Sequence, residues 1–294
     1  MSQQIDNHNS GVEADQRIWL TGASSGIGAA LAEQLMLQGY SLVLTARNEE
    51  KLQDLKEALE KKKAQMAYHS SANTRANARA QAPRIDILAM DISDDSAVAE
   101  KRRLLAELAP DLAAIYMCAG VCEYLNFDSQ SCATDDWPMV KRVHSVNFLG
   151  SVNCIEMALP LLKGFVARTQ TQAHIVGLSS LALLMPFTRA EAYGSSKAAL
   201  HYLLLSLAMD LKPHQIAVTS VLPGFVETPM TDQNNFSMPF IMSPSEAAKR
   251  ICRGVANRPR VFAFPKRLYL LLKFFSFFPG LWFKKMSPQQ EAVK

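Results

Sequence analysis

The sequence predicts a doubly wound α/β fold built on a parallel sheet. Three observations lead there. Short runs rich in Ile, Val and Leu alternate with longer helical stretches from Arg17 to Phe264, a glycine turn joins the first run to the first helix, and no internal repeat interrupts the alternation. Strands that alternate with helices pair in parallel through right-handed crossovers, which places helices on both faces of the sheet.

The elements follow in order. Arg17–Leu20 reads as the first strand, then comes the glycine turn and a helix over Ile27–Gln38, ended by Gly39. Ser41–Thr45 is the second strand, and Glu49–Lys63 an exposed helix of mixed charge. Further strands fall at Ile85–Met90, Leu112–Cys118, His174–Leu178 and Ala217–Leu222. Helices between them cover Ser96–Leu108, Asp135–Leu162 in one or two pieces, and Ala190–Leu211. One domain thus spans 17–264. Residues 1–16 are polar, lack the apolar core of a secretory signal, and read as a loose tail. Residues 65–83 hold few apolar side chains, two arginines and no acid, so they read as a solvated insertion. It lies between a helix and the next strand, at the sheet edge opposite the strand carboxyl ends where ligands bind. Residues 265–294 form an amphipathic C-terminal segment.

Composition narrows the class. A chain of 294 residues, 49% hydrophobic and 20% charged, has the material for a substantial core. A net charge of +4 is too mild to point to nucleic acid. Five cysteines (Cys118, Cys122, Cys132, Cys154, Cys252) without a CxxC pair suggest reduced thiols in a cytoplasmic protein, three of them packed as small hydrophobes. The six histidines are scattered, so no metal is expected.

The turn Thr21-Gly22-Ala23-Ser24-Ser25-Gly26-Ile27-Gly28 lies between strand and helix. A bend this tight needs glycine, and an approaching pyrophosphate needs bare N–H groups at a helix N-terminus. Gly22, Ser24, Ser25, Gly26, Ile27 and Gly28 are the candidate phosphate contacts, although three glycines could make only a flexible turn. The spacing is not the commoner GxGxxG. The second strand ends Leu44-Thr45-Ala46-Arg47. An acid there would bind the adenine ribose hydroxyls, whereas a nearby Arg suits a 2′-phosphate. Arg47 therefore points to NADP(H), the alternative being a solvated surface arginine. The fold is expected to be Rossmann-type.

Tyr193 and Lys197 stand four apart at the start of a helical run, on one helix face. A free phenol has a pKa of about 10, and an adjacent ammonium is expected to lower it into a useful range. Ser180 sits thirteen residues before Tyr193 at a strand carboxyl end, where its hydroxyl can meet a substrate oxygen.

These ordered motifs resemble the short-chain dehydrogenase/reductase family over residues 17–264. The turn Thr21–Gly28 matches the family's TGxxxGxG, and Asp91, followed by Ile92, matches the acid placed on the adenine amino group. Asn147 matches the asparagine that holds a relay water. Ser180, Tyr193 and Lys197 complete the tetrad, with Tyr193 and Lys197 also touching the cofactor. Pro223, Gly224, Val226 and Thr228 match the segment that seats the nicotinamide carboxamide. One departure stands out: the family's NNAG reads Met117-Cys118-Ala119-Gly120 here. Cys118 replaces an asparagine that stabilises the sheet, while Ala119 and Gly120 still allow close approach of the cofactor. Cys118 as a nucleophile is the sharper alternative. By resemblance, Tyr193 protonates a carbonyl oxygen, Ser180 orients it, Lys197 holds the nicotinamide ribose, and Asn147 replenishes the proton.

Leu181–Phe187, Phe225, Val226, Met230, Phe236, Met238, Phe240 and Ile241 lie in loops at the strand carboxyl ends. Few charges punctuate them, which favours a lipophilic carbonyl or alcohol; equally, they could pack a lid over the core. Lys266 to Lys285 carries five bases, no acid and a dense apolar content. It is too short and interrupted to span a bilayer but suits an interfacial helix. Its burial is expected first on a membrane surface, then on a partner subunit, then at the pocket mouth. Within the family the chain loosely resembles members acting on lipids and steroids, such as 3-ketosphinganine reductases and 11-hydroxysteroid dehydrogenases, and the resemblance implies a homo-oligomer. A cofactor-binding scaffold without turnover and a membrane-docked partner protein remain the competing functions.

Overall fold

The computed structural model describes residues 16–69, 83–125, 137–232 and 238–287. Seven strands form one parallel sheet: β1 (Arg17–Thr21), β2 (Ser41–Thr45), β3 (Ile85–Ile87), β4 (Leu112–Met117), β5 (Ala173–Leu178), β6 (Ile216–Pro223) and β7 (Val261–Phe264), in the order β3-β2-β1-β4-β5-β6-β7. The central strands are buried on both faces, which explains why they read as continuous apolar runs. In β1, Trp19 faces one core while Ile18 and Leu20 face the other. The first core is covered by α3 (Asp95–Leu108), α5 (Gly150–Thr169) and α6 (Glu191–Asp210), the second by α1 (Gly26–Leu37), α2 (Glu49–His69) and α7 (Pro244–Val255). Strand order reverses between β1 and β4, so the crevice at their carboxyl ends is the switch point where ligands bind.

Several boundaries differ from those the sequence suggested. α2 runs on to His69, so the first residues of the expected insertion are helical; 70–82 lie outside the described residues. Neither α7 nor β7 was anticipated, although Ser243 caps α7 by accepting from the Glu246 N–H and Pro244 opens it. The long helical pattern after β4 comprises α4 (Trp137–His144), a π-helical turn at Ser145–Leu149, and α5, which continues past Pro160 to Thr169. This 33-residue stretch is apolar and long enough to cross a bilayer by composition and length. It instead packs Cys154, Met157 and Phe165 into the core beside β4 and β5.

The C-terminal segment folds as two short helices, α8 (Lys266–Phe277) and α9 (Pro279–Met286). Leu268, Leu272 and Trp282 turn inward onto Leu181, Met185 and Leu222. The Trp282 indole N–H donates to the Pro186 carbonyl at 2.6 Å, and its ring meets Phe187 edge-on. One face of the tail is therefore buried at the pocket mouth, the burial ranked last from sequence. Its other face is exposed.

Candidate active site

The glycine turn is held by its neighbours. Ala23 N–H donates to the Thr45 carbonyl at 3.1 Å, which lays the turn against the end of β2, two residues from Arg47. Gly22 has φ +67°, and a Cβ there would lie 2.5 Å from the Ala119 nitrogen; a Cβ on Gly28 would lie 2.1 Å from the Gly22 oxygen. The bend closes only without side chains at those positions. Thr228 approaches from the other side, with its methyl carbon 2.9 Å from where a Gly26 Cβ would stand. α1 starts at this point with Ser25 making no side-chain cap and no acid in the first turn. A bare helix N-terminus in a glycine cradle, with exposed Arg47 next to it, fits the phosphates of a dinucleotide.

The remaining expected cofactor residues are arranged around the same crevice. Asp91 accepts from the Ser93 N–H and hydroxyl at 2.9 and 2.6 Å. Ile92 is buried against Gly150, and its carbonyl accepts from Asn153. Ala119 packs on Gly22, while the Cys118 N–H donates to the Thr21 carbonyl at 3.2 Å. Burial pushes the Cys118 thiol well above its ordinary range, which argues against a nucleophile. Val226 is 3% exposed and bridges Met242, so its side chain belongs to the core.

The residues expected to transfer the proton converge. Ser180 caps a 3₁₀ turn after β5, its hydroxyl accepting from the Ala182 N–H at 3.1 Å, and it lines the same pocket as Tyr193. Lys197, 4% exposed, donates from Nζ to the Leu178 carbonyl at 2.8 Å and lies 5.9 Å from the Tyr193 ring centroid. Asn147 is fully buried in the π-helical turn. Its amide donates to the Val121 carbonyl and to Ser196 Oγ, at 2.9 and 3.0 Å, and its oxygen accepts the Val121 N–H at 2.8 Å. π-turns recur at functional sites because they re-aim a side chain within a helix. Gly120 brings these groups together: a Cβ there would lie 3.1 Å from Asn147 Oδ1 and 3.2 Å from Lys197 Nζ.

The expected depression of the Tyr193 pKa does not occur in this geometry. Burial raises the phenol to about 12, opposed by the Ser180 hydroxyl and reinforced by nearby Cys122. Lys197 is aimed at Leu178 rather than at the phenol oxygen, and burial lowers its own pKa to about 8. Shared helix face alone did not determine where the ammonium points.

Ser180, Tyr193, Pro223 and Gly224 open on one pocket of about 110 Å³. Leu181, Phe187, Phe225 and Met230 line it as expected, whereas Met185 is buried beneath it, and Phe240 and Ile241 line a separate cleft. Phe236 lies outside the described residues. Sequence reading missed Cys122, Tyr124, Leu268 and Leu272 as pocket walls. The spacing of Leu268 and Leu272, one helical turn apart in the tail, was the available signal.

A model of the short chain dehydrogenase family matches residues 16–82 and 65–238. The chain belongs to this family of oxidoreductases, as the tetrad and glycine turn indicated. An uncharacterized oxidoreductase of Myxococcus xanthus is 28% identical over 85% of this chain and 87% of its own. A 3-ketodihydrosphingosine reductase of Bos taurus is 28% identical, covering 81% of this chain and 68% of its own. Among solved structures, a short-chain dehydrogenase of Sphingobium yanoikuyae in complex with NADPH shares the fold with a TM-score of 0.67 at 21% identity, over 95% of this chain and 98% of its own.

Proposed function

We propose that this protein is an NADP(H)-dependent oxidoreductase that interconverts a lipophilic carbonyl and its secondary alcohol, with Tyr193 as the proton donor and acceptor. The observation that carries this reading is the opening of Ser180 and Tyr193 on one apolar pocket, with Lys197 behind them and the glycine cradle alongside. The 2′-phosphate would be held by Arg47, the pyrophosphate by the turn from Gly22 to Gly28, and the carboxamide by Pro223 to Thr228. NADPH, when bound, supplies the hydride.

The chain supplies the proton and the alignment. The Ser180 hydroxyl, on the same pocket as the phenol, holds a carbonyl oxygen within reach of Tyr193, whose O–H proton passes to that oxygen. A phenol held near 12 stays protonated at neutral pH and is thus loaded as a donor. Lys197 and Asn147 meet over Gly120 and form the inward path by which the proton is restored. The pocket walls are Leu181, Phe187, Phe225, Met230, Leu268 and Leu272, a lining that suits an apolar chain. The bovine relative named above is, by its name, a reductase of 3-ketodihydrosphingosine.

We also infer a cytoplasmic homo-oligomer in contact with a membrane surface through 266–285. Exposed Trp137 on α4 and Tyr202 and Met209 on α6 support the subunit contact, and the free Cys118, Cys122, Cys154 and Cys252 support a reducing compartment. Titration with NADPH and NADH, followed by a panel of long-chain ketones and aldehydes, tests the function. Tight NADPH binding with turnover of an apolar carbonyl is expected; absence of both sinks the reading.

A further inference from the structure

The hairpin of α8 and α9 carries two apolar stripes where a surface helix normally carries one. Leu268, Leu272 and Phe275 recur at i, i+4 and i+7 and face the pocket side. Leu270, Phe274 and Phe277 recur at the same spacing, two residues out of step, and face away; Leu270 is 63% and Phe277 70% exposed. Of sixteen large hydrophobic residues exposed among the described residues, seven lie within 270–283. Scattered exposure needs no explanation, but this concentration marks a contact surface.

Charge identifies the partner. Lys266 and Lys273, seven apart on one stripe, flank the outer apolar face, and Lys284 and Lys285 close α9, while 266–285 holds no acid. Next to the start of α8, a cleft of about 560 Å³ sets exposed Phe240 and Ile241 beside Lys266 and Arg267, repeating the combination. Hydrocarbon ringed by uncompensated positive charge matches an anionic lipid surface, where acyl tails and headgroups answer each part.

The inner stripe adds a consequence. Leu268 and Leu272 roof a pocket of only about 110 Å³, well below the roughly 300–1,000 Å³ that ligand sites occupy. A long-chain substrate requires the roof to lift, and in water lifting would expose Leu268, Leu272 and Trp282. At a bilayer the same face meets acyl chains.

We propose that the outer face of α8 and α9 docks on an anionic membrane, and that docking lifts the roof so that a membrane-dissolved substrate reaches the pocket past α8. The proposal rests on reading that pocket as the carbonyl site. The test floats the full chain, with NADPH, on vesicles of phosphatidylcholine alone or mixed with phosphatidylserine. Mass spectrometry follows alkylation of Cys122, whose residue lines the pocket beneath the roof.

The chain should float with the mixed vesicles, less so as salt rises, and little with phosphatidylcholine alone. Labelling of Cys122 should accelerate several-fold on docking. The variant Phe274→Glu/Phe277→Glu should lose flotation and the acceleration while binding NADPH as the parent does, which certifies its fold. Unchanged flotation of that variant overturns the docking. Flotation without faster labelling overturns the roof route. If sedimentation instead finds a dimer that the double variant splits, a second copy covers the face and the membrane assignment falls. Failure to bind NADPH or reduce any carbonyl would end the functional reading while leaving these outcomes intact.

Discussion

The walls of the pocket that α6 and α8 contribute treat polarity in opposite ways. α6 carries Ser196 and Lys197 into the interior at 0 and 4% exposure, where hydroxyls and ammonium groups are ordinarily rare. α8 and its continuation α9 leave phenylalanines and leucines in solvent. On α6 each buried polar group has a partner within the chain: Lys197 reaches Leu178, and Ser196 reaches Tyr193 and Asn147. On α8 the outer apolar stripe stays exposed, Phe274 meeting Phe275 and Phe278 of its own hairpin. A violation satisfied internally serves chemistry inside the protein, whereas one left open points to something outside it.

The largest effect that would break this contrast is on α6. Tyr193→Phe deletes only the phenol oxygen and should reduce turnover about 10²- to 10⁴-fold while leaving NADPH affinity near the parent's. Stopped-flow measurement of NADPH oxidation, with fluorescence titration alongside, checks both halves. A Phe variant of full activity would place the proton donor elsewhere.

Lys197→Met comes next because it separates stability from function. Buried Lys197 has its pKa lowered from 10.5 to about 8, so between those values the unfolded chain binds the extra proton and stability climbs with pH. Below pH 8 the full desolvation penalty is present. Met removes it, together with the bond to Leu178, and should raise stability by about 2 kcal/mol at pH 7. That gain should vanish toward pH 10.5, while turnover is lost. Tyr193 acts in the opposite sense: raised from 10.0 to about 12, it contributes fully below pH 10 and loses that contribution as pH rises to 12. Urea unfolding across pH 7 to 12 reads both slopes.

The cofactor end supplies a control that follows ordinary rules. Arg47 is solvated, and Arg47→Ala should weaken NADPH binding by about 10- to 100-fold, with NADH little changed. Equal loss for both cofactors would remove Arg47 from 2′-phosphate recognition.

Legibility in the sequence divided along similar lines. β1, its glycine turn and the Tyr193–Lys197 pair were readable because local geometry dictates them: at Gly22 φ +67° and the approach of Ala119 leave no room for a side chain, and four residues make one helical turn. The π-turn at Asn147 was not readable, since its extra residue depends on what α4 and α5 pack against. Nor was the aim of Lys197, which the Leu178 carbonyl decides from across the fold. Apolar runs are ambiguous in the same way. Leu181 lines the pocket and Met185 is buried beneath it, and nothing local distinguishes these two apolar positions. The tail was read as one amphipathic surface; the spacing of Leu268 and Leu272 marks a second stripe, but what that stripe covers becomes visible only when Leu222 and Met185 are placed under it.

The smallest expected effect sharpens the contrast most closely. Trp282 is the clasp of the hairpin: its ring packs on Phe187 and Phe275, and its N–H donates to Pro186. Trp282→Phe keeps an aromatic ring in that space and removes only the donor, leaving a carbonyl without it at a site near solvent, a loss of about 0.5–1.5 kcal/mol. Were α8 and α9 an integral part of the core, this loss would appear as a lower global unfolding midpoint. A roof fastened at one end should instead open locally, because few elements other than the loop after β5 and the end of β7 hold it. Hydrogen exchange should therefore accelerate across 266–286, roughly in proportion to the lost free energy, with amides of β4 and β5 unaffected. Acceleration spread over the whole sheet would show that the hairpin unfolds only with the domain, and the pocket would then lack a separately opening wall.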